Sequence, residues 1–368
     1  MKKKLSALTV ESPRAEPVMS SLTLRIKRGL KQALPYVQLL RLYHLLRNRN
    51  TLTVVVFHRV LATDDERWHH AHPEWTVSDS VFEQCLQFFR RNYHIISLEE
   101  LLSSAEQGKK LPQRSLLITF DDGYADNEEY ALPLLERNRV PAALFLTSDF
   151  VNRKCRPWIE DLAAAFRAGV ISAQAVADIY RALFKTDPVS PDPLKQLNEI
   201  AARWTDLSDD EMDQLCRTHL GQPLQRLSTP AQMLSTEQLR HLHRAGVAIG
   251  AHGKTHTSLP LSTNLKAELA EPRRVLAAML NLQSVDKIST LAFPFGDHSE
   301  GVVRDALAEG YKLLFTFKPA LTKLPHGWLA GSVVDRVNVS GPIIAPDGNA
   351  SPDRLARLFF FVPHASAA

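Results

Sequence analysis

Short apolar runs recur along the chain at residues 53–57, 116–120, 142–146, 247–249, 290–293, 313–317 and 333–339. Most are rich in Val, Ile, Leu or Phe, and several stop abruptly at a polar residue or glycine. Continuous apolar runs of this length predict strands of a parallel sheet covered on both faces. A further short strand is predicted at 94–96. Between the strands the apolar spacing changes to that of helices, at 83–90, 98–107, 127–138, 264–280 and 301–309, with a closing helix at 352–361. Strands alternating with helices at this spacing predict βα units.

The alternation breaks once. From about residue 160 to 232 only helix signals appear. Gly169 and Gly221 read as helix stops, and Ser208 with Glu211 forms a capping-box pattern ahead of Met212 and Leu215. This predicts a helical insertion in one loop, suited to be a lid or substrate wall. The rhythm resumes at Ser235, paired with Gln238 as a second capping box, in a helix that Gly246 ends.

Residues 1–19 are polar and read as disordered. From Leu22 to Arg49 leucines and other apolar residues alternate with Arg and Lys, and Pro35 divides the stretch into two helical pieces. An amphipathic basic helix either packs its apolar side on the domain or lies on an anionic membrane surface. The expected organisation is a basic N-terminal extension with amphipathic helices, 1–50, followed by one domain, 51–368, that carries the 160–232 insertion. Peripheral membrane contact through residues 20–49 is one expectation.

Charge sharpens that division. The formal net charge is +4, yet residues 1–50 carry eleven Lys/Arg and two Asp/Glu, whereas the other 318 residues carry 33 and 38. The main domain is therefore weakly acidic, which argues against a nucleic-acid partner. Cys85, Cys155 and Cys216 form neither a zinc-ligand spacing nor a disulfide framework, which fits a reducing compartment. Met1-Lys2-Lys3-Lys4 resembles the start of a signal peptide, but the apolar stretch behind it is short and closed by Glu11. A cytoplasmic location is expected, membrane-peripheral only if the basic helices lie on a bilayer.

Candidate chemistry lies where strands end. Asp121 and Asp122 follow the run 116–120, His252 and His256 follow 247–249, and His58 follows 53–57. Taken alone, an Asp-Asp pair is a solvated turn or a helix cap, and a His-x-x-x-His is a pair of partly buried histidines with backbone partners. Together, behind buried strands, they point to a metal site. One carboxylate and two imidazoles suit Zn²⁺ or another borderline divalent ion. A helical turn after Gly250 would place both histidines on one face. Asp122 is then the ligand, and Asp121 the general base.

These residues carry a resemblance. Ile118-Thr119-Phe120-Asp121-Asp122-Gly123-Tyr124, Ala251-His252-Gly253-Lys254-Thr255-His256 and Phe293-Pro294-Phe295-Gly296 resemble the first three motifs of the polysaccharide deacetylases, the chitooligosaccharide-deacetylase homology group of carbohydrate esterases. Phe57-His58-Arg59-Val60 resembles the entry-strand signature of one branch. The resemblance implies a distorted (β/α) barrel of about seven strands with its site at the carboxyl-end rim. It implies that Asp121 is the base and that Asp122, His252 and His256 bind the metal. Pro294 and Phe295 then line the substrate groove. His58 is a candidate for substrate binding, Tyr124 either stacks on a sugar or packs, and Trp158 is either a substrate contact or a residue of an aromatic core. His58 is also a candidate acid.

Three departures stand out. The third motif's Arg, which braces the base, is replaced by Ala292. Trp158 with Asp161 stands where the fourth motif has Trp and Asp. The Leu-x-x-His of the fifth motif, source of the general acid, is missing, and Asp335-Arg336-Val337-Asn338-Val339 occupies its region. The implied activity is metal-dependent removal of N-acetyl groups from an amino-sugar glycan. The alternatives are an O-acetyl esterase or non-sugar amidase of the same fold, and a catalytically silent sugar-binding homologue.

Overall fold

The computed structural model describes residues 38–152, 158–204, 207, 209–221, 233–324 and 331–365. Six parallel strands stand side by side in chain order: β1 (Thr51–Phe57), β2 (Ser115–Phe120), β3 (Ala143–Leu146), β4 (Ala248–Ala251), β5 (Thr290–Ala292) and β6 (Leu313–Phe315). The ring is closed by two short pieces. β7 (Val333–Val334) pairs with β6, and β8 (Val337–Asn338) pairs with β1, both parallel. The run 333–339 is thus not one strand. It breaks at Asp335-Arg336, where it leaves one neighbour and joins the next. The barrel has seven positions, the last one split.

Side-chain alternation divides these strands between two cores. Leu116, Ile118 and Phe120 face outward, and Phe120 meets Phe82 of the helix Asp79–Asn92 at 5.6 Å between ring centroids. Leu117 faces inward with Leu52, Val54, Ala143, Phe145, Ala292, Phe315 and Val334. Fully burying a side chain such as Phe145 contributes about 2–3 kcal/mol. Gly250 belongs to the inner face for a steric reason. A Cβ there would come within 2.5 Å of the Phe145 ring and 2.6 Å of Thr290 Oγ1.

The insertion is helical, as expected, with helices Trp158–Arg167, Ala173–Phe184, Pro193–Trp204 and Asp209–Leu220. Ser208 and the tail 222–232 lie outside the described residues. The four helices bury a core of their own around Leu162, Val176, Ile179, Leu197 and Ile200. Two polar struts tie it to the segment after β1. Arg167 donates to the carbonyls of Trp68 and Ala71, and the Asn198 amide donates to the Glu74 carboxylate.

Of the N-terminal stretch, residues 38–47 form a described helix, and 1–37 lie outside the described residues. This helix is docked on the barrel. Leu40 joins the core, and His44 and Asn48 are fully buried. His44 Nε2 meets the carbonyl of Asn92, while the Asn48 amide donates to Phe360 O. Residues 38–50 therefore belong to the domain rather than to an extension. Among the described residues no helix is long and apolar enough to cross a membrane.

Candidate active site

Strand periodicity builds the site. The inward face of β1 runs Leu52, Val54, Val56 and then His58. That of β2 runs Leu117, Thr119, Asp121, and that of β4 runs Ala248, Gly250, His252. β6 continues from Phe315 to Phe317, and β7 from Val334 to Arg336. Five side chains thus converge above the barrel's carboxyl end because each is the next inward position beyond its strand.

Asp121 is held by Arg336. Nη1 and Nη2 of the guanidinium donate to Oδ1 and Oδ2 of Asp121, each at 2.7 Å, and both side chains are buried. Arg336 also donates from Nε to the carbonyl of Thr316 at 2.8 Å and lies over the Phe145 ring. Asp335, its neighbour in the strand break, accepts from Thr316 Oγ1 at 2.8 Å. Burial opposes the charge on Asp121, but Arg336, foremost of the groups that favour it, acts with His252 and His58 to keep the carboxyl below the usual carboxylate range. The missing motif Arg at Ala292 is thereby replaced from another strand.

Asp122 points elsewhere because the chain turns through the left-handed region there, φ 72°, with Gly123 following at 99°. Its Oδ1 lies 3.5 Å from His252 Nε2 and 3.3 Å from His256 Nε2, is buried, and has no hydrogen-bond partner. His252 Nδ1 faces the carbonyl of Ala292 at 2.8 Å. A carbonyl only accepts, so Nδ1 carries the proton and Nε2 presents a lone pair towards the carboxylate. Burial pushes the His252 pKa down to about 4, which keeps it neutral. A lone pair aimed at an orphaned carboxylate oxygen calls for a cation between them. The ligand atoms of Asp122, His252 and His256 all lie within 4.8 Å of one another. This donor set fits a divalent metal.

The histidines do not sit on a helical turn. Residues 252–258 form a non-helical loop, and His256 reaches the site through a left-handed backbone, φ 65°. Glu268, buried in the helix Leu265–Met279, holds that loop. Its carboxylate accepts from the backbone N–H of Lys254 at 2.7 Å and of Thr255 at 3.1 Å, and from Thr255 Oγ1 at 2.7 Å. Thr147 Oγ1 adds a bond to the His252 carbonyl at 3.1 Å.

The proposed substrate contacts fare unevenly. His58 is half-buried beside the acids, and burial lowers its pKa. Its ring lies 4.8 Å from that of Trp75 and 6.0 Å from that of Phe317, both half-buried. Phe295 is half-buried with its ring 4.6 Å from His256. Two assignments need correction. Tyr124 is buried beneath the Arg59 guanidinium, 4.6 Å from its ring centroid, and packs with Phe150 and Met233, so it offers no stacking face. Pro294 is buried against Gly253, where it packs on the histidine loop rather than lining an open groove. The side chain of Trp158 lies outside the described residues. Trp75, Phe317, Glu268 and Arg336 were not singled out by the motifs.

A family model, polysaccharide deacetylase, matches residues 108–314. The chain belongs to this family. That stretch includes Asp121, Asp122, His252 and His256. YxkH of Bacillus subtilis (strain 168), itself assigned to the polysaccharide deacetylases, is 32% identical over 79 residues, which are 21% of this chain and 28% of that protein. Solved structures share the fold at low identity. The deacetylase PplD of Streptococcus pyogenes, in complex with acetate, superposes with a TM-score of 0.52 at 15% identity, covering 84% of this chain and 98% of its own. IcaB from Ammonifex degensii gives 0.51 at 18%, covering 84% and 97%. In this member of the family the brace on the first Asp comes from Arg336, 215 residues away along the chain.

Proposed function

We propose that the protein hydrolyses N-acetyl groups of an acetylated amino-sugar polysaccharide, oligosaccharide or glycan precursor, releasing acetate and a free amine. The observation that carries this reading is the division of labour between two adjacent acids. Arg336 grips Asp121, while Asp122 leaves a bare oxygen facing two imidazole nitrogens.

Asp122, His252 and His256 would hold a divalent ion, Zn²⁺ first among the candidates, which when bound lowers the pKa of an adjacent water and polarises the acetyl carbonyl. The protein's own residues do the rest. Asp121 lies 3.8 Å from His252 Nε2, beside the ligand set, and takes the water's proton. Both its oxygens are already bonded to Arg336, so the carboxylate is fixed in place before substrate arrives. His58, held neutral by burial, contacts the substrate and is the second proton-handling group at the rim. Trp75, Phe317 and Phe295 offer rings on which a sugar can pack. A silent binding protein would have no use for a base fixed in this way.

Acetate release across a panel of N-acetylated and O-acetylated glycans, before and after chelation and Zn²⁺ return, tests the reading. Metal-restored acetate release from an N-acetyl substrate supports it. Release confined to O-acetyl esters, or untouched by thorough chelation, overturns it.

A further inference from the structure

The helix at residues 38–47 is more apolar outside than inside. Its docked face carries His44 and Asn48, both satisfied by hydrogen bonds, with Leu40 beside them. Its outer face carries Leu39, Leu42, Tyr43 and Leu46, which are 63%, 52%, 39% and 72% exposed. These positions are spaced i, i+3, i+4, i+7 and form a single stripe along the helix. Phe361, 48% exposed, extends it by stacking on Tyr43 at 4.8 Å between centroids. A contiguous apolar stripe open to water is a contact surface in want of a partner.

Charge says which partner. No Asp or Glu occurs between Glu16 and Asp64, while Arg25, Lys27, Arg28, Lys31, Arg41, Arg47 and Arg49 fall in that interval. Within the described helix, Arg41 is exposed beside the stripe, and its guanidinium donates to the backbone carbonyl of Arg91, a second exposed arginine. We propose that this face docks on an anionic lipid bilayer, with the leucines, Tyr43 and Phe361 entering the headgroup boundary and the arginines meeting lipid phosphates. The placement is compatible with catalysis. His44 packs at Asn92, ahead of the strand His94–Ile95, so the stripe lies towards the amino ends of the strands. The acids and histidines stand at the carboxyl ends, so a docked molecule keeps its rim open to a glycan.

The test is flotation of the full chain with vesicles made of equal parts phosphatidylcholine and phosphatidylglycerol, against phosphatidylcholine alone. The expected result is binding to the anionic vesicles that weakens with salt. It should fall roughly tenfold or more in the double variant Leu42→Glu/Leu46→Glu. Both positions are exposed, so the thermal midpoint of that variant should match the wild type. A Tyr43→Trp variant provides a second reading, a blue shift of its emission when anionic vesicles are added. Absence of binding, or binding that the double variant retains in full, overturns the proposal. So does Tyr43→Trp emission that is already blue in solution and unmoved by vesicles, which would mean that residues 1–37 cover the stripe. A dimer that the double substitution dissociates would assign the stripe to a second copy of the chain and overturn it equally.

Discussion

Arg336 holds Asp121 by two parallel hydrogen bonds of 2.7 Å, both partners buried. The guanidinium favours the ionised form of Asp121, the proposed base, where burial alone would favour the acid form. In Arg336→Met the Asp121 pKa should rise, and the acid limb of the pH–rate profile should move to higher pH. A loss of about 10²-fold in kcat/KM at neutral pH is expected. Removing one partner of a buried pair also destabilises, by about 3–5 kcal/mol. The pH profile separates the two effects, because instability alone would not move the acid limb. An unmoved limb would show that Arg336 is only structural.

The histidine loop owes its shape to Glu268, which accepts three hydrogen bonds from residues 254–255. Glu268→Gln loses acceptor capacity there while keeping size. Metal affinity measured by calorimetry should weaken by about 10–100-fold, the effect typical of residues that orient ligands. Asp122→Asn and His252→Ala should lose more. Equal affinity in wild type and Glu268→Gln would contradict the role.

Stability should fall on mild acidification. His44 and His252 are both buried with pKa pushed down to about 4. Below pH 6.5 the unfolded chain takes up protons that the folded chain refuses, so stability decreases as pH drops from 6.5 towards 4 and levels off below that. Each histidine contributes roughly 3 kcal/mol over that window. Asp121 works in a lower range, since a depressed carboxylate loses its stabilisation only as pH falls through its folded pKa. Thermal midpoints at pH 7, 5.5 and 4 check this, and a midpoint unchanged between pH 7 and 4 would refute it.

The insertion reaches the site through Trp75. Arg167 and Asn198 anchor the segment that carries Trp68, Ala71 and Glu74, and Trp75 packs against His58. Trp75→Ala should raise KM several-fold with a smaller change in kcat, and Arg167→Ala should act in the same direction more weakly. A kcat defect with unchanged KM in Arg167→Ala would assign that residue to something other than positioning the wall.

Much of this was legible in the chain itself. Apolar runs located the barrel strands because buried parallel strands leave few polar positions. Asp121, Asp122, His252 and His256 were legible because polar groups directly behind such runs are unusual. Arg336 was harder to read, since its partner is 215 residues away and its significance depends on a strand break that periodicity does not announce. Its one signal was a charged pair, Asp335-Arg336, inside the apolar run 333–339. The helical turn expected for the histidines does not form: Glu268, in the helix that follows the loop, takes the backbone N–H groups of Lys254 and Thr255. In the sequence Tyr124 reads equally as a sugar contact or as a packing residue, and only the fold decides, by placing Arg59 over its ring. Trp75 and Phe317 look like any aromatic until the fold brings them to His58.

In the proposed function adjacent acids divide the work, Asp121 handling the proton and Asp122 the metal. The most direct measurement is metal content and acetate release together in Asp121→Asn, loaded with Zn²⁺ and given an N-acetylated oligosaccharide. Metal should bind at the wild-type stoichiometry, with acetate release lowered by about 10²-fold or more. Wild-type acetate release, or loss of the metal from Asp121→Asn, would contradict it.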